Sequence, residues 1–211
     1  MPSVSTHVPT APSRRIAWGV MTFFAIVVVT MVLLTIVTPA MQSPVYTGRR
    51  DDLPVALYTH VIAGAVALGT GAFQFSRRLR ARRLAVHRLM GRSYVVAVAL
   101  SGTAGLAMAP LSDGGLAGHF GFGGMALLWL ITTACAFTAA RARRIDDHER
   151  WMIRSYALTL AAVTLRLYLP AMLVAGIPFD SAYPAIAWLC WVPNLVIAEW
   201  WLLRPRKESV R

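Results

Sequence analysis

Acidic residues are scarce in this chain, and charge of either sign is thin. Only 9 of 211 residues are Asp or Glu, and 14% are charged, against roughly 25% in soluble domains. There are two cysteines, Cys135 and Cys190. They fall in the middle of separate apolar runs, where a free thiol behaves as a small apolar group. That leaves no disulfide framework and no paired thiolates for structural zinc. A His-Glu-x-x-His helix, a Gly-x-Ser-x-Gly elbow, a Walker loop and a dinucleotide fingerprint are also missing. The usual sequence marks of a metalloprotease, a serine hydrolase or a nucleotide-binding enzyme are therefore absent. Polar stretch is lacking too, so little chain remains for a soluble domain.

Apolar sequence is abundant. Hydrophobic residues make up 57% of the chain and the mean hydropathy is +0.57. Six runs, about 17–38, 54–75, 89–109, 118–140, 151–176 and 182–203, each approach the roughly 20 residues that span a bilayer as a helix. None has the period-two pattern of a barrel strand. The expected fold class is all-α: an integral membrane domain over 16–204 with six transmembrane helices. A polar tail (1–15) and a short basic tail (205–211) flank it. Ser13-Arg14-Arg15 precedes an uncharged run from Ile16 to Val37, longer than the 7–15 residues usual in a signal peptide, so a retained first span is expected. Pro170 is expected to kink or end the fifth helix, and Pro193 to interrupt the sixth.

The net charge of +12 is placed by loops. Arginines crowd the 76–88 and 141–150 connections and both termini. In the alternate loops Arg49 and Arg50 are offset by Asp51 and Asp52, and 110–118 and 176–182 contain no Lys or Arg. This is the positive-inside pattern. It implies a multi-pass protein of a bacterial inner (cytoplasmic) membrane with both termini in the cytoplasm. The partner it implies is the lipid bilayer; a nucleic-acid surface is not expected.

Landmarks recur. His60, Arg80-Ala81-Arg82-Arg83, His87 and Arg92-Ser93-Tyr94 return as His119, Arg141-Ala142-Arg143-Arg144, His148 and Arg154-Ser155-Tyr156, at offsets of 59, 61, 61 and 62. A near-constant offset reads as internal duplication. Spans two and three (repeat 1, about 54–109) would match spans four and five (repeat 2, about 118–176). The expected core is four helices around a pseudo-two-fold axis along the membrane normal.

Symmetry then groups the histidines into an outer pair, His60 with His119, and an inner pair, His87 with His148. The inner two are expected just ahead of spans three and five, about 20 Å from the outer pair in depth. Facing imidazoles from opposite helices can supply both axial ligands of a haem iron. Residues four apart share a helix face, and Gly64, Gly91 and Gly123 follow His60, His87 and His119 at that spacing. A glycine there would clear space for a macrocycle. Met152 breaks the pattern after His148. Arg92 and Arg154, with Arg88 and Arg150, suit haem propionates at the inner pair. Arg166 lies deep in span five, where a charge lines a site or finds an anionic partner. An outer propionate, a bound anion, or helix carbonyls near Pro170 are the partners open to it. Tyr94 and Tyr156 are either donors to the inner site or packing residues.

The metal ligands expected are therefore His60, His119, His87 and His148, holding one or two haems b. The function expected is transmembrane electron transfer, with a quinone or small redox protein as partner. Alternatives are a membrane-embedded metal hydrolase at Asp146-Asp147-His148-Glu149, a small-molecule or ion transporter, and an accessory subunit with no site of its own. Oligomeric state is left open.

Two resemblances accompany these residues. The runs His87-Arg88-Leu89-Met90-Gly91-Arg92-Ser93-Tyr94 and His148-Glu149-Arg150-Trp151-Met152-Ile153-Arg154-Ser155-Tyr156 resemble the signature of a bacterial family of multi-span membrane proteins, a domain of unknown function (DUF2306). That resemblance implies membrane location and no activity. More weakly, the histidines on spans two and four and on three and five resemble the cytochrome b561 arrangement. It implies two haems b in the central four helices; the inner ligands here sit closer to the water boundary.

Overall fold

The computed structural model describes residues 12–204; positions 1–11 of the expected polar tail and the expected basic tail at 205–211 lie outside the described residues. Six helical stretches are long and apolar enough to cross a membrane: 18–37, 54–74, 84–111, 115–141, 145–174 and 179–203. The first span belongs to α1 (Pro12–Val37), the second is α3 (Pro54–Gln74) and the fourth is α6 (Gly115–Arg141). The third is α5 (Leu84–Met108) with a short 3-10 turn. The fifth is split into α7 (Ile145–Thr159) and α8 (Ala161–Val174), the sixth into α9 (Phe179–Leu189) and α10 (Val192–Leu203). Two short helices lie in loops, α2 (Pro44–Asp52) and α4 (Arg77–Arg82). Both are capped by serine. Ser43 accepts from the Tyr46 N–H at 3.2 Å and Ser76 from the Leu79 N–H at 3.3 Å, satisfying free donors of the first turn.

Spans three and five start earlier than their apolar runs. α5 begins at Leu84 and α7 at Ile145, so His87 and His148 stand in the first turn of their spans rather than ahead of them. The arginines there do not end the helix, because a guanidinium on a long stem reaches water while its backbone stays helical. The turn before α7 is tight. Arg144 N–H donates to Ala139 O at 2.9 Å and Arg143 N–H to Ala140 O at 3.1 Å. Arg143 adopts a φ of 60°, a left-handed place where glycine is usual.

The fifth span breaks at Leu160, ten residues before Pro170, which sits inside α8. The sixth breaks at Cys190–Trp191, directly before Pro193. Pro193 brings no N–H to the ladder. Asn194, the only asparagine in the chain, joins the two breaks. Its Nδ2 donates to Cys190 O at 3.0 Å, to Ala157 O at 3.3 Å and to the Thr164 hydroxyl at 3.0 Å. The amide thus serves carbonyls that interrupted helices leave without backbone donors, a need that lipid cannot meet.

α5 packs against both α3 and α6, and α7 packs against α6. α1 lies on α3, α9 on α6 and α10 on α7. At the centre Tyr94 and Tyr156 are fully buried, their rings 6.5 Å apart. Gly71 makes that possible. A Cβ there would overlap both rings. The Tyr94 hydroxyl bonds Ser155 at 2.6 Å and Thr159 at 2.8 Å, Trp129 Nε1 donates to Thr159 at 3.0 Å, and Thr133 bonds Ser155 at 2.7 Å. Tyr156 donates to Leu68 O at 3.0 Å. Outward faces carry exposed Leu, Ile, Val and Phe, as lipid contact asks.

Candidate functional site

The basic-loop end of the bundle holds the most informative cluster. His87 on α5 and His148 on α7 line one small void with Gln74, Phe75, Arg80, Glu149 and Met152. Its volume of about 20 Å³ matches one water or one ion. His148 Nδ1 lies 2.9 Å from Ala136 O. A carbonyl only accepts, so Nδ1 carries a proton and Nε2 is the nitrogen free of that bond, the arrangement that orients metal-binding imidazoles. Among the described residues, His87 Nδ1 is buried with no hydrogen-bond partner, and so is Gln74 Nε2. A buried polar atom left unpaired costs about 1–3 kcal/mol, so two in one wall mark a place prepared for something else.

Gly91 does not give the clearance expected of it. The Gln74 carboxamide fills that face, with Oε1 3.3 Å from where a Cβ would stand. Met152, four residues after His148, is buried in the same wall at 7% exposure. Gln74 belongs to no motif that the sequence singles out. A lone amide at the end of an otherwise apolar span was the signal available.

The expected outer residues are distributed differently. His60 Nδ1 donates to Ser101 O at 2.9 Å, while the Ser101 hydroxyl donates back to His60 O at 2.9 Å. His60 also packs beside Gly105. His119 Nε2 donates to Ser112 O at 3.1 Å in the preceding loop. The two rings are thus held by separate carbonyls. Gly64 faces the Ser101 hydroxyl and Gly123 faces Ala109, so both serve helix packing.

The arginines divide. Arg154 forms a two-point ion pair with Glu199, Nε to Oε1 at 2.5 Å and Nη2 to Oε2 at 2.9 Å, and lies over Trp151. Arg92 is exposed. Arg166 donates to Ala162 O at 2.9 Å on its own helix and sits within electrostatic reach of His60. Among the described residues, no three of His, Cys, Asp and Glu gather closely enough to hold a metal ion.

A family model described as "Predicted membrane protein (DUF2306)" matches residues 57–202, well over half of the chain. No curated protein and no solved structure matches it.

Proposed function

The chain belongs to the DUF2306 family of membrane proteins, and on that footing we propose that it transfers electrons in the bilayer through a metal held by His87 and His148. One observation carries this reading. Two histidines from equivalent sequence positions, on different helices, line the same small void, one with a proton fixed on Nδ1 by a carbonyl and the other with a buried ring nitrogen unpartnered among the described residues. The duplication read from the sequence belongs to the same proposal. His87 and His148 share the void, and Tyr94 and Tyr156, their companions in each copy, share the core. The sidedness belongs to it as well: a bacterial inner membrane, the inner pair facing the cytoplasm, and a quinone or small redox protein as partner.

Haem b meets this pair unequally. Two imidazoles from opposite helices are the donor set that haem iron asks for. The space between them is ion-sized, and a macrocycle would have to displace Gln74, Phe75 and Met152. The pair as packed therefore does not fit the macrocycle. A redox metal there would gain and lose one electron. The chain's own part is to hold the His148 ring through Ala136, to keep water to about one molecule, and to offset charge with Arg80 and Glu149.

The test is a redox titration of protein purified in detergent, with haem extraction and metal analysis. A redox-active metal that disappears in His87→Ala/His148→Ala supports the reading. Wild type carrying no more of it than that variant would sink it.

The paired breaks at Leu160 and Cys190–Trp191 favour a second reading, transport of a small solute, because discontinuous helices at mid-membrane often line binding sites. A groove of about 410 Å³ lies there, lined by Val20, Met21, Phe24, Leu160, Val163, Thr164 and Asn194. Solute flux into liposomes that Asn194→Leu abolishes would decide for transport.

A further inference from the structure

We propose that the void at the basic-loop end binds a single cuprous ion through His87, His148 and Met152. The inference rests on the metal-centre reading above and names the metal. Its starting point is Met152. One helical turn separates it from His148, so both side chains leave the same face of α7. His87 comes from α5, and all three line one void of about 20 Å³. Two imidazoles and a thioether form a soft-leaning set, and such ligands favour Cu(I) and other soft or borderline metals over hard cations.

The other metals fit less well. Zinc in proteins takes four ligands from Cys, His, Asp and Glu, and no three of those residues gather among the described residues. Calcium and magnesium need oxygen-rich cages. Charge agrees with a monovalent ion. Arg80 and Glu149 stand in the same wall, and Arg88 also acts on His87, so the void offers no excess negative charge to balance a dication.

Orientation agrees as well. Ala136 O fixes the His148 proton on Nδ1, and the buried ring nitrogen of His87 is without a partner. Gln74 Nε2, also buried and unpartnered at 7% residue exposure, stands ready to bond a water or anion completing the ion's surroundings. In the first copy the position matching Met152 is Gly91, which Gln74 covers. The two copies are thus built differently at this end, and the difference supplies the sulfur.

The experiment uses the full chain purified in detergent and titrated anaerobically with Cu(I) against a chromophoric chelator, with X-ray absorption on the loaded protein. One copper per chain with nitrogen and sulfur neighbours is the expected result. Met152→Leu, close in volume and so tolerated by the fold, should lose the sulfur signal and weaken binding by about tenfold or more. His87→Ala/His148→Ala should abolish binding. Copper retention unchanged in Met152→Leu, with the sulfur signal intact, overturns the assignment. A different redox metal in place of copper, lost in His87→Ala/His148→Ala, also overturns it while leaving the electron-transfer reading in place. Neither haem nor metal in wild type overturns both.

Discussion

The Tyr94 hydroxyl meets the Ser155 hydroxyl at 2.6 Å in the middle of the bundle, and neither residue has any exposed surface. The contact joins spans three and five. Thr133 and Trp129 bring in span four through Ser155 and Thr159. In lipid, apolar faces give helices little reason to choose one neighbour over another, so packing and interhelical hydrogen bonds must specify the arrangement. Tyr94→Phe removes the hydroxyl that joins Ser155 to Thr159. It should cost about 1–3 kcal/mol, read as a lower unfolding midpoint in detergent. An unchanged midpoint would mean that the network does not hold the core.

Gly71 and Gly124 predict opposite outcomes for the same substitution. A Cβ at Gly71 would overlap Tyr156 and Tyr94, while one at Gly124 meets nothing within 4 Å. Gly71→Ala should destabilise by about 1–3 kcal/mol through overpacking. Gly124→Ala, in a helix interior, should be neutral or stabilising by up to about 1 kcal/mol. Thermal unfolding of both variants side by side checks the contrast, and equal shifts would refute it.

Arg143 holds a left-handed backbone at a φ of 60° where α6 turns into α7. An L side chain there costs about 1–2 kcal/mol. Arg143→Gly should therefore raise stability by about 1 kcal/mol, measured by chemical unfolding. Because glycine adopts this φ without shifting the backbone, the start of α7 and the His148 ring should stay where they are.

Asn194 serves both helix breaks at once. Asn194→Leu would leave Ala157 O and Cys190 O without their amide donor, an uncompensated loss of about 1–3 kcal/mol for each buried acceptor. Hydrogen exchange should accelerate in 157–164 and 190–195 and remain slow around Tyr94. Uniform acceleration across the protein would show that the amide supports the whole fold rather than the breaks.

The ion pair of Arg154 with Glu199 ties span five to span six. Glu199→Gln should cost more than the joint change Arg154→Met/Glu199→Leu, because a half-buried guanidinium stripped of its carboxylate is worse than an apolar pair. A double-mutant cycle on unfolding midpoints measures the coupling. Additive effects would mean that the pair contributes nothing of its own.

Much of the architecture was legible in order along the chain. Long apolar runs and the need to close every backbone hydrogen bond within the segment allow a helix and little else in lipid. Six spans, an all-α fold and the membership of the run from His87 to Tyr156 in its family follow from those residues taken one after another. Break positions were less legible. Pro193 announced its own, but Pro170 lies within a helix and the fifth span breaks at Leu160, where no proline marks the place. Only the fold decided which donors meet. Gln74 and His87 are far in sequence from His148 and Met152, and their place around one void depends on how α3, α5 and α7 rotate against one another. Rotation is set by side-chain volume and buried hydrogen bonds, as at Gly71 and Tyr94, which are properties of several segments together and are written in no single one.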